Sequence, residues 1–350
     1  MKSWLSQWFT ARAARPRSVL FDAVSEPTAK TLGAQGAPAA LRSGPPPMPM
    51  PSLDADLAFL AWMTDGRMFA VGPAGPREAA ALSSLDRLLA DTAAHANLLP
   101  RAAAVIPPLL ARLRSPGLSL AELSKHVSRD VTLVAEIIRA ANSVHYRSDA
   151  VVADLDRAMQ LLGVEGLRSV IARTVLRPLI DQRNGPLAAS GATRLWEHTD
   201  KKAQLCSALA RGAGIDPFEA CMAGLAHNAV WSALLRALNK GGGEGLLHLS
   251  PDLLHALLAR RDRLFALVAR QWHLAGFVVQ AGTDGASHEA ADESSAAMRL
   301  LHSGDRLAWL LCMPDRQRAA ALAEPRLREA DEGLRACYHA LEPPHRPPGD

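Results

Sequence analysis

Beyond Leu53, apolar residues recur every three or four positions, the spacing that lines one face of a helix. Leu53, Leu57, Leu60 and Trp62 predict a helix over 53–63, and Leu82, Leu85, Leu88 and Leu89 predict another after the break VGPAGP at 71–76. Ser119 and Glu122 have the S-x-x-E spacing of a capping box, ahead of Leu120, Leu123 and Val127. Asp130 is placed to cap a helix carrying Val134, Ile137, Ile138 and Ala141. A helix through Leu155, Ala158 and Leu162 should stop at Gly163. The next is expected over 164–180, through Leu167, Val170, Ile171 and Leu176, with Pro178 near its end, and another over about 193–211. Asp216-Pro217 and Ser250-Pro251 each join a capping residue to a proline at the first helical position, the second helix reaching about Leu274. No run of strict alternation competes, so the chain reads as an all-α, multi-helix bundle.

The periodicity divides the chain. Residues 1–51 read as a disordered, Pro-rich tail and linker, because GPPPMPMP forbids helix. Residues 52–96 read as an N-terminal helical extension, 97–310 as the main domain, and 311–350 as a C-terminal helical segment with a flexible end. Within the tail, Trp4 and Trp8, and Leu5 and Phe9, share one face of a short amphipathic helix over 3–12. With Lys2, Arg12, Arg15 and Arg17 nearby, residues 3–17 could make weak contact with an anionic membrane surface. The plainer reading is a disordered tail that folding does not need, since so short a helix is marginal alone.

Composition agrees with helix: apolar residues make up 49% of the 350 residues but aromatics only 5%, and Ala and Leu enter helices at little cost. No stretch of 18 apolar residues predicts a membrane span. The start has no continuous apolar segment of the kind that marks secretion. Cys206, Cys221, Cys312 and Cys337 form no CxxC pair and read as reduced, buried thiols of a cytoplasmic protein. Residues 1–50 hold six basic and two acidic side chains, which is all of the formal +4. Residues 51–350 therefore sum to zero, which argues against a nucleic-acid partner.

Three stretches carry a family resemblance: LPRAAAVIPPLLARL (99–113), SLAELSKHVSRDVTLVAEIIRAANSVHY (119–146) and RAMQLLGVEGLRSVI (157–171). They resemble the opening of an HDOD domain, with its leading Leu-Pro, its helix pair from Glu122 to Asp130, its Asn142-Ser143 and its run from Ala158 to Leu167. LWEHT (195–199) and AGLAHNAV (223–230) resemble later family segments, so the likeness spans about 97–310. Val131 departs from it, standing where the family has Pro after the aspartate.

HDOD domains are relatives of the HD metal-dependent phosphohydrolases. The resemblance implies an all-helical fold and a bacterial signalling role without demonstrated chemistry. It places the first metal-binding His at His198, the His-Asp pair at His227-Asn228 and the distant Asp at Asp305. Asn228 offers one neutral oxygen where a carboxylate is needed, and Val230 and Trp231 stand where the family usually has glycine and lysine and crowd the site. The expectation is a vestigial site without metal or cofactor, its polar groups hydrogen-bonded to one another. His273 and His302 could substitute as ligands, but the plainer reading is of ordinary solvated or hydrogen-bonded side chains.

Asn142, Ser143 and Tyr146 are candidates for ligand or partner contact, with a helix C-cap as the alternative for Asn142. Arg168, Arg173 and Arg177 read as a solvated helix face. Trp196, Trp231, Trp272 and Trp309 read as packing residues. GGGEG at 241–245 reads as a connection, and no nucleophile elbow or phosphate loop is present. The expected function is a non-catalytic cytoplasmic signalling module that binds signalling proteins. The alternative is a sensor of nucleotides or cyclic dinucleotides at the vestigial pocket, and an active phosphohydrolase ranks behind both.

Overall fold

A computed structural model of the chain describes residues 59–60, 62–63, 75–91, 100–115, 117–142, 151–180, 186–240, 249–276, 278–279 and 296–342. All lie in the larger of two units, Asp54–Asp350. Expectations for the tail at 1–51, for Ser143 and Tyr146 and for the 241–245 connection lie outside the described residues.

Eleven helices and no strand are found among the described residues. They are α1 (Pro76–Ala90), α2 (Pro100–Leu113), α3 (Leu120–Val127), α4 (Val131–Ala141), α5 (Leu155–Ile180) and α6 (Pro186–Gly212), then α7 (Pro217–Lys240), α8 (Pro251–Gln271), α9 (Ala296–Cys312), α10 (Arg316–Arg328) and α11 (Glu332–Leu341). The all-α expectation holds.

Local chemistry sets the helix starts. Ser119 and Glu122 make the predicted capping box. Asp130 accepts from the backbone N–H of Thr132 and Leu133, so α4 is capped without the family's proline. Ser250 caps α8 through the Leu253 N–H. Gly163 breaks α5 with φ 62°, a backbone that glycine adopts without strain, so the predicted stop is a kink between two helical halves. Two boundaries differ from expectation: α6 begins at Pro186 and α8 ends at Gln271.

The centre is the pair α6 and α7. Nearly every residue of α7 from Phe218 to Asn239 is buried, as a helix apolar on all sides must be. Helices α5, α8, α9 and α1 pack around α7, α9 and α11 pack on α6, and α2, α3 and α4 lie against α5. Gly224 permits the α6–α7 approach: a Cβ there would sit 3.2 Å from the Ala203 Cα.

The extension before residue 97 is tied to this centre. The buried Glu78 carboxylate accepts from Ser250 N and Ser250 Oγ, both at 2.7 Å, so α1 fastens the start of α8. Arg260 forks onto Asp86 at 2.8 and 2.5 Å. Phe59, Leu60 and Met63 are buried, and Arg194 of α6 donates to the Trp62 carbonyl at 2.8 Å.

Trp231, Trp272 and Trp309 are packing residues as expected. All four cysteines are buried and free. The solvated-face reading of Arg173 is overturned: its guanidinium meets Asp200 of α6 at 2.6 Å, with only 14% of its side chain exposed. Arg177 instead lies over the Trp196 ring, 5.7 Å from its centroid. Asn142 caps α4 and uses its whole amide locally: Nδ2 donates to the Ile138 and Val152 carbonyls, and Oδ1 accepts from Val152 N–H.

Candidate functional site

His198 and Lys202 lie one turn apart on α6, His227-Asn228 sits mid-way along α7, Arg261-Asp262 comes from α8 and Asp305 from α9. The separation of 107 positions between His198 and Asp305 is closed by a tight helix contact. Gly304 lies so close to α6 that a Cβ on it would be 2.6 Å from Cys206 Sγ, and this brings the adjacent Asp305 over the two histidines. The sequence-predicted residues His198, His227, Asn228 and Asp305 therefore converge.

A residue absent from the sequence reading holds the middle. The Lys202 side chain is fully buried, and its Nζ lies 2.7 Å from Asp305 Oδ1. The same atom is 2.5 Å from His227 Nδ1 and 3.1 Å from Asn228 Oδ1. An ammonium has three N–H donors, and these three acceptors use them all.

The remaining proton positions follow. His227 Nδ1 accepts from Lys202, so its proton sits on Nε2, which faces Asp262 Oδ1 at 3.5 Å. Asn228 spends its oxygen on Lys202, and its Nδ2 donates to His198 Nδ1 at 2.8 Å and to Thr199 Oγ1 at 3.1 Å. His198 therefore carries its proton on Nε2, 3.2 Å from the Asp305 carbonyl oxygen. The Thr199 hydroxyl donates its own hydrogen bond to the Leu195 carbonyl at 2.6 Å. An aspartate at position 228 would have no donor for His198 or Thr199, so the amide suits this network.

Electrostatics agree. Burial, joined by the nearby Lys202 cation, pushes His198 down to about 4 and His227 down to about 3, so both rings are neutral near pH 7. Burial also lowers Lys202, a tendency that Asp305 opposes. For Asp305, burial acts upward, but Lys202, His227, His198 and Arg261 outweigh it and hold the carboxyl below its usual range. Arg261 is 2.8 Å from Asp262 and 3.7 Å from Asp305, and its guanidinium lies over Trp231, 5.7 Å from the ring centroid. Trp231 thus supports a second internal cation. Lys202 and Arg261 balance Asp305 and Asp262, and the buried cluster is neutral.

One face of the cluster is closed by the N-terminal segment. Phe59 lies against the His198 ring, with centroids 4.3 Å apart, and Trp62 meets Trp309 at 5.5 Å.

The HDOD domain family matches residues 99–284. The chain belongs to the HDOD family. That match includes His198, Lys202, His227, Asn228, Arg261 and Asp262 and ends before Asp305. A solved structure from Shewanella amazonensis SB2B, described as a candidate metal-dependent phosphohydrolase, shares the fold at TM-score 0.52 and 17% identity. The match covers 77% of this chain and 99% of that one. A second chain from the same organism, described as a candidate phosphohydrolase, matches at TM-score 0.44 and 20% identity over 75% and 98% of the two chains. No curated protein matches the chain.

The donor set of this HDOD domain does not fit a metal. Lys202 occupies the acceptor atoms of Asp305, His227 and Asn228 that a cation would need. Among the described residues no group of three His, Cys, Asp or Glu side chains is arranged to hold one. A dication added to a neutral buried cluster would also lack compensating charge. Of the two candidate replacement ligands, His302 is half-buried beside Asp305 with its pKa lowered, first by burial. His273 is elsewhere, and its carbonyl accepts from Arg114 at 2.8 Å.

The sequence reading missed Lys202, Arg261 and Asp262. One signal was available for Lys202: it follows His198 by four residues, which puts both on one helix face. Nothing local marks Arg261-Asp262 among the charged residues of α8.

Proposed function

We propose that this HDOD protein is a non-catalytic bacterial signalling module that acts in the cytoplasm by binding protein partners. The observation that carries this reading is Lys202, whose ammonium stands among the acceptors of the HD position and satisfies them. A hydrolytic metal site needs a firmly held cation with an open coordination position. Here the cation is covalently part of the chain and offers no such position. The neutral charge of residues 51–350 supports protein rather than nucleic-acid partners. No helix among the described residues is long and apolar enough to cross a membrane. Sensing of a nucleotide or cyclic dinucleotide at the HD position is disfavoured, because Lys202 is fully buried and Phe59 covers His198.

The test is metal binding and turnover in parallel. Equilibrium dialysis with Mn²⁺ is expected to give no retention by the wild type and measurable retention by Lys202→Ala/Asn228→Asp, which removes the cation and restores a carboxylate. Phosphomonoesters, nucleotides and cyclic dinucleotides should not be turned over by the wild type with Mg²⁺, Mn²⁺, Fe²⁺ or Ni²⁺. Turnover that a folded His198→Ala/His227→Ala variant loses would overturn the reading.

A further inference from the structure

A cavity of about 370 Å³, lined by no residue of the HD cluster, is walled by α4, α5, α6, α7 and α11. We infer that it binds a small amphipathic organic anion whose charged head meets Arg211. The volume lies in the range of small-molecule sites. The wall is mixed: Leu162, Val170, Phe218 and Leu341 supply apolar surface, and Ser169, Ser207 and Gln204 supply hydrogen-bonding groups.

The charge balance selects an anion. Three charged side chains line the cavity: Glu165, Arg173 and Arg211. Glu165 is paired with Arg168 at 2.6 Å, and Arg173 with Asp200 at 2.6 Å. The Arg211 side chain makes no hydrogen bond or ion pair with any described residue. One guanidinium is therefore left over at a wall that also holds Pro217 and Phe218, the first residues of α7. The cavity's two thiols do not oppose it, because burial pushes Cys221 up to about 11 and Cys337 up to about 12 and keeps them neutral. A free carboxylate, sulfonate or phosphate would gain a forked, charge-assisted pair with Arg211, while its apolar body covers Phe218 and Leu162.

Anilinonaphthalene sulfonate is a suitable probe because it joins an apolar body to one anionic head. Phenylnaphthylamine is its neutral counterpart. Fluorescence titration of the full chain should show saturable, single-site binding of the anion. Arg211→Gln should weaken it about tenfold, the size of one lost charge-assisted contact, and leave phenylnaphthylamine unaffected. Arg211 is exposed, so this variant should keep its helical circular dichroism and melting temperature. Ser207→Trp, which fills the cavity, should abolish binding of both dyes. Displacement of the bound dye by phenylacetate assigns a carboxylate head, and displacement by phenyl phosphate assigns a phosphate head. The inference falls if wild type shows no saturable binding, if Arg211→Gln binds the anion like wild type, or if neither acid displaces it.

Discussion

Lys202 Nζ and Asp305 Oδ1 lie 2.7 Å apart in the buried centre of the molecule, joining α6 to α9 across 103 residues of sequence. The pair ties the C-terminal helices to the family core. Asp305 is followed on α9 by Leu307, Ala308 and Leu311, which pack with Leu205 and Ala208 of α6 and with Leu334 and Tyr338 of α11.

Lys202→Met should therefore destabilise strongly. It keeps most of the side-chain volume but removes the charge facing Asp305, leaving only Arg261 at 3.7 Å to compensate. Breaking a buried pair from one side costs about 3–5 kcal/mol, and the Arg261 contact sets the expectation at about 3 kcal/mol. Urea unfolding measures it. The double variant Lys202→Met/Asp305→Leu should lose clearly less than the sum of the two single variants. Simple additivity would mean that the pair is not coupled.

Acid should unfold the protein early. An unfolded histidine has a pKa near 6.5, whereas His198 is lowered to about 4 and His227 to about 3. Between those values the unfolded chain takes up protons that the folded chain refuses. The stability due to neutral, buried rings is complete above about pH 6.5 and declines as pH falls toward 4. Asp305 and Asp262, both held low, add their loss as pH falls through and below the ordinary carboxylate range. From pH 7 to pH 5 the expected loss is on the order of 3 kcal/mol. An unchanged urea midpoint over that interval would contradict neutral burial of these rings.

Gly304→Ala should force α9 away from α6. The new methyl would approach Cys206 Sγ to 2.6 Å, closer than a buried thiol on a packed helix can yield. Overpacking of this kind costs about 1–3 kcal/mol. Cys206→Ala removes the clashing sulfur, so the double variant Cys206→Ala/Gly304→Ala should recover much of the lost melting temperature. A Gly304→Ala protein as stable as wild type would show that the approach is not tight.

Asn142→Ala removes three hydrogen bonds at the end of α4, one to the Ile138 carbonyl and two that link it to Val152, ahead of α5. Each such bond contributes about 1 kcal/mol net, so a loss of about 2 kcal/mol is expected in thermal or urea unfolding. Asn142→Asp should also lose stability, because a carboxylate cannot donate to the Ile138 and Val152 carbonyls. Equal stability of Asn142→Asp and wild type would remove the clamp from the account.

The helices were legible because their signals are local. Ser119 and Glu122, Asp130, Gly163, Asp216-Pro217 and Ser250-Pro251 act on backbone within a few residues, and each stands where the chain starts, kinks or caps a helix. The family motifs were legible for the same reason, and they located His198, His227 and Asn228 without reference to packing. Sequence alone also exposed the decisive departure at Asn228, since a change from carboxylate to amide needs no coordinates to interpret. What the departure is for was decided only by tertiary structure. An amide is useful there because a lysine from α6 and a carboxylate from α9 arrive at the same point, which depends on how closely Gly304 lets two distant helices approach. Arg173 illustrates the same limit: its spacing with Arg168 and Arg177 suggests a solvated face, but Asp200 of the neighbouring helix claims it. Pairings between helices depend on distances through space, and the spacing of residues along one helix carries no record of them.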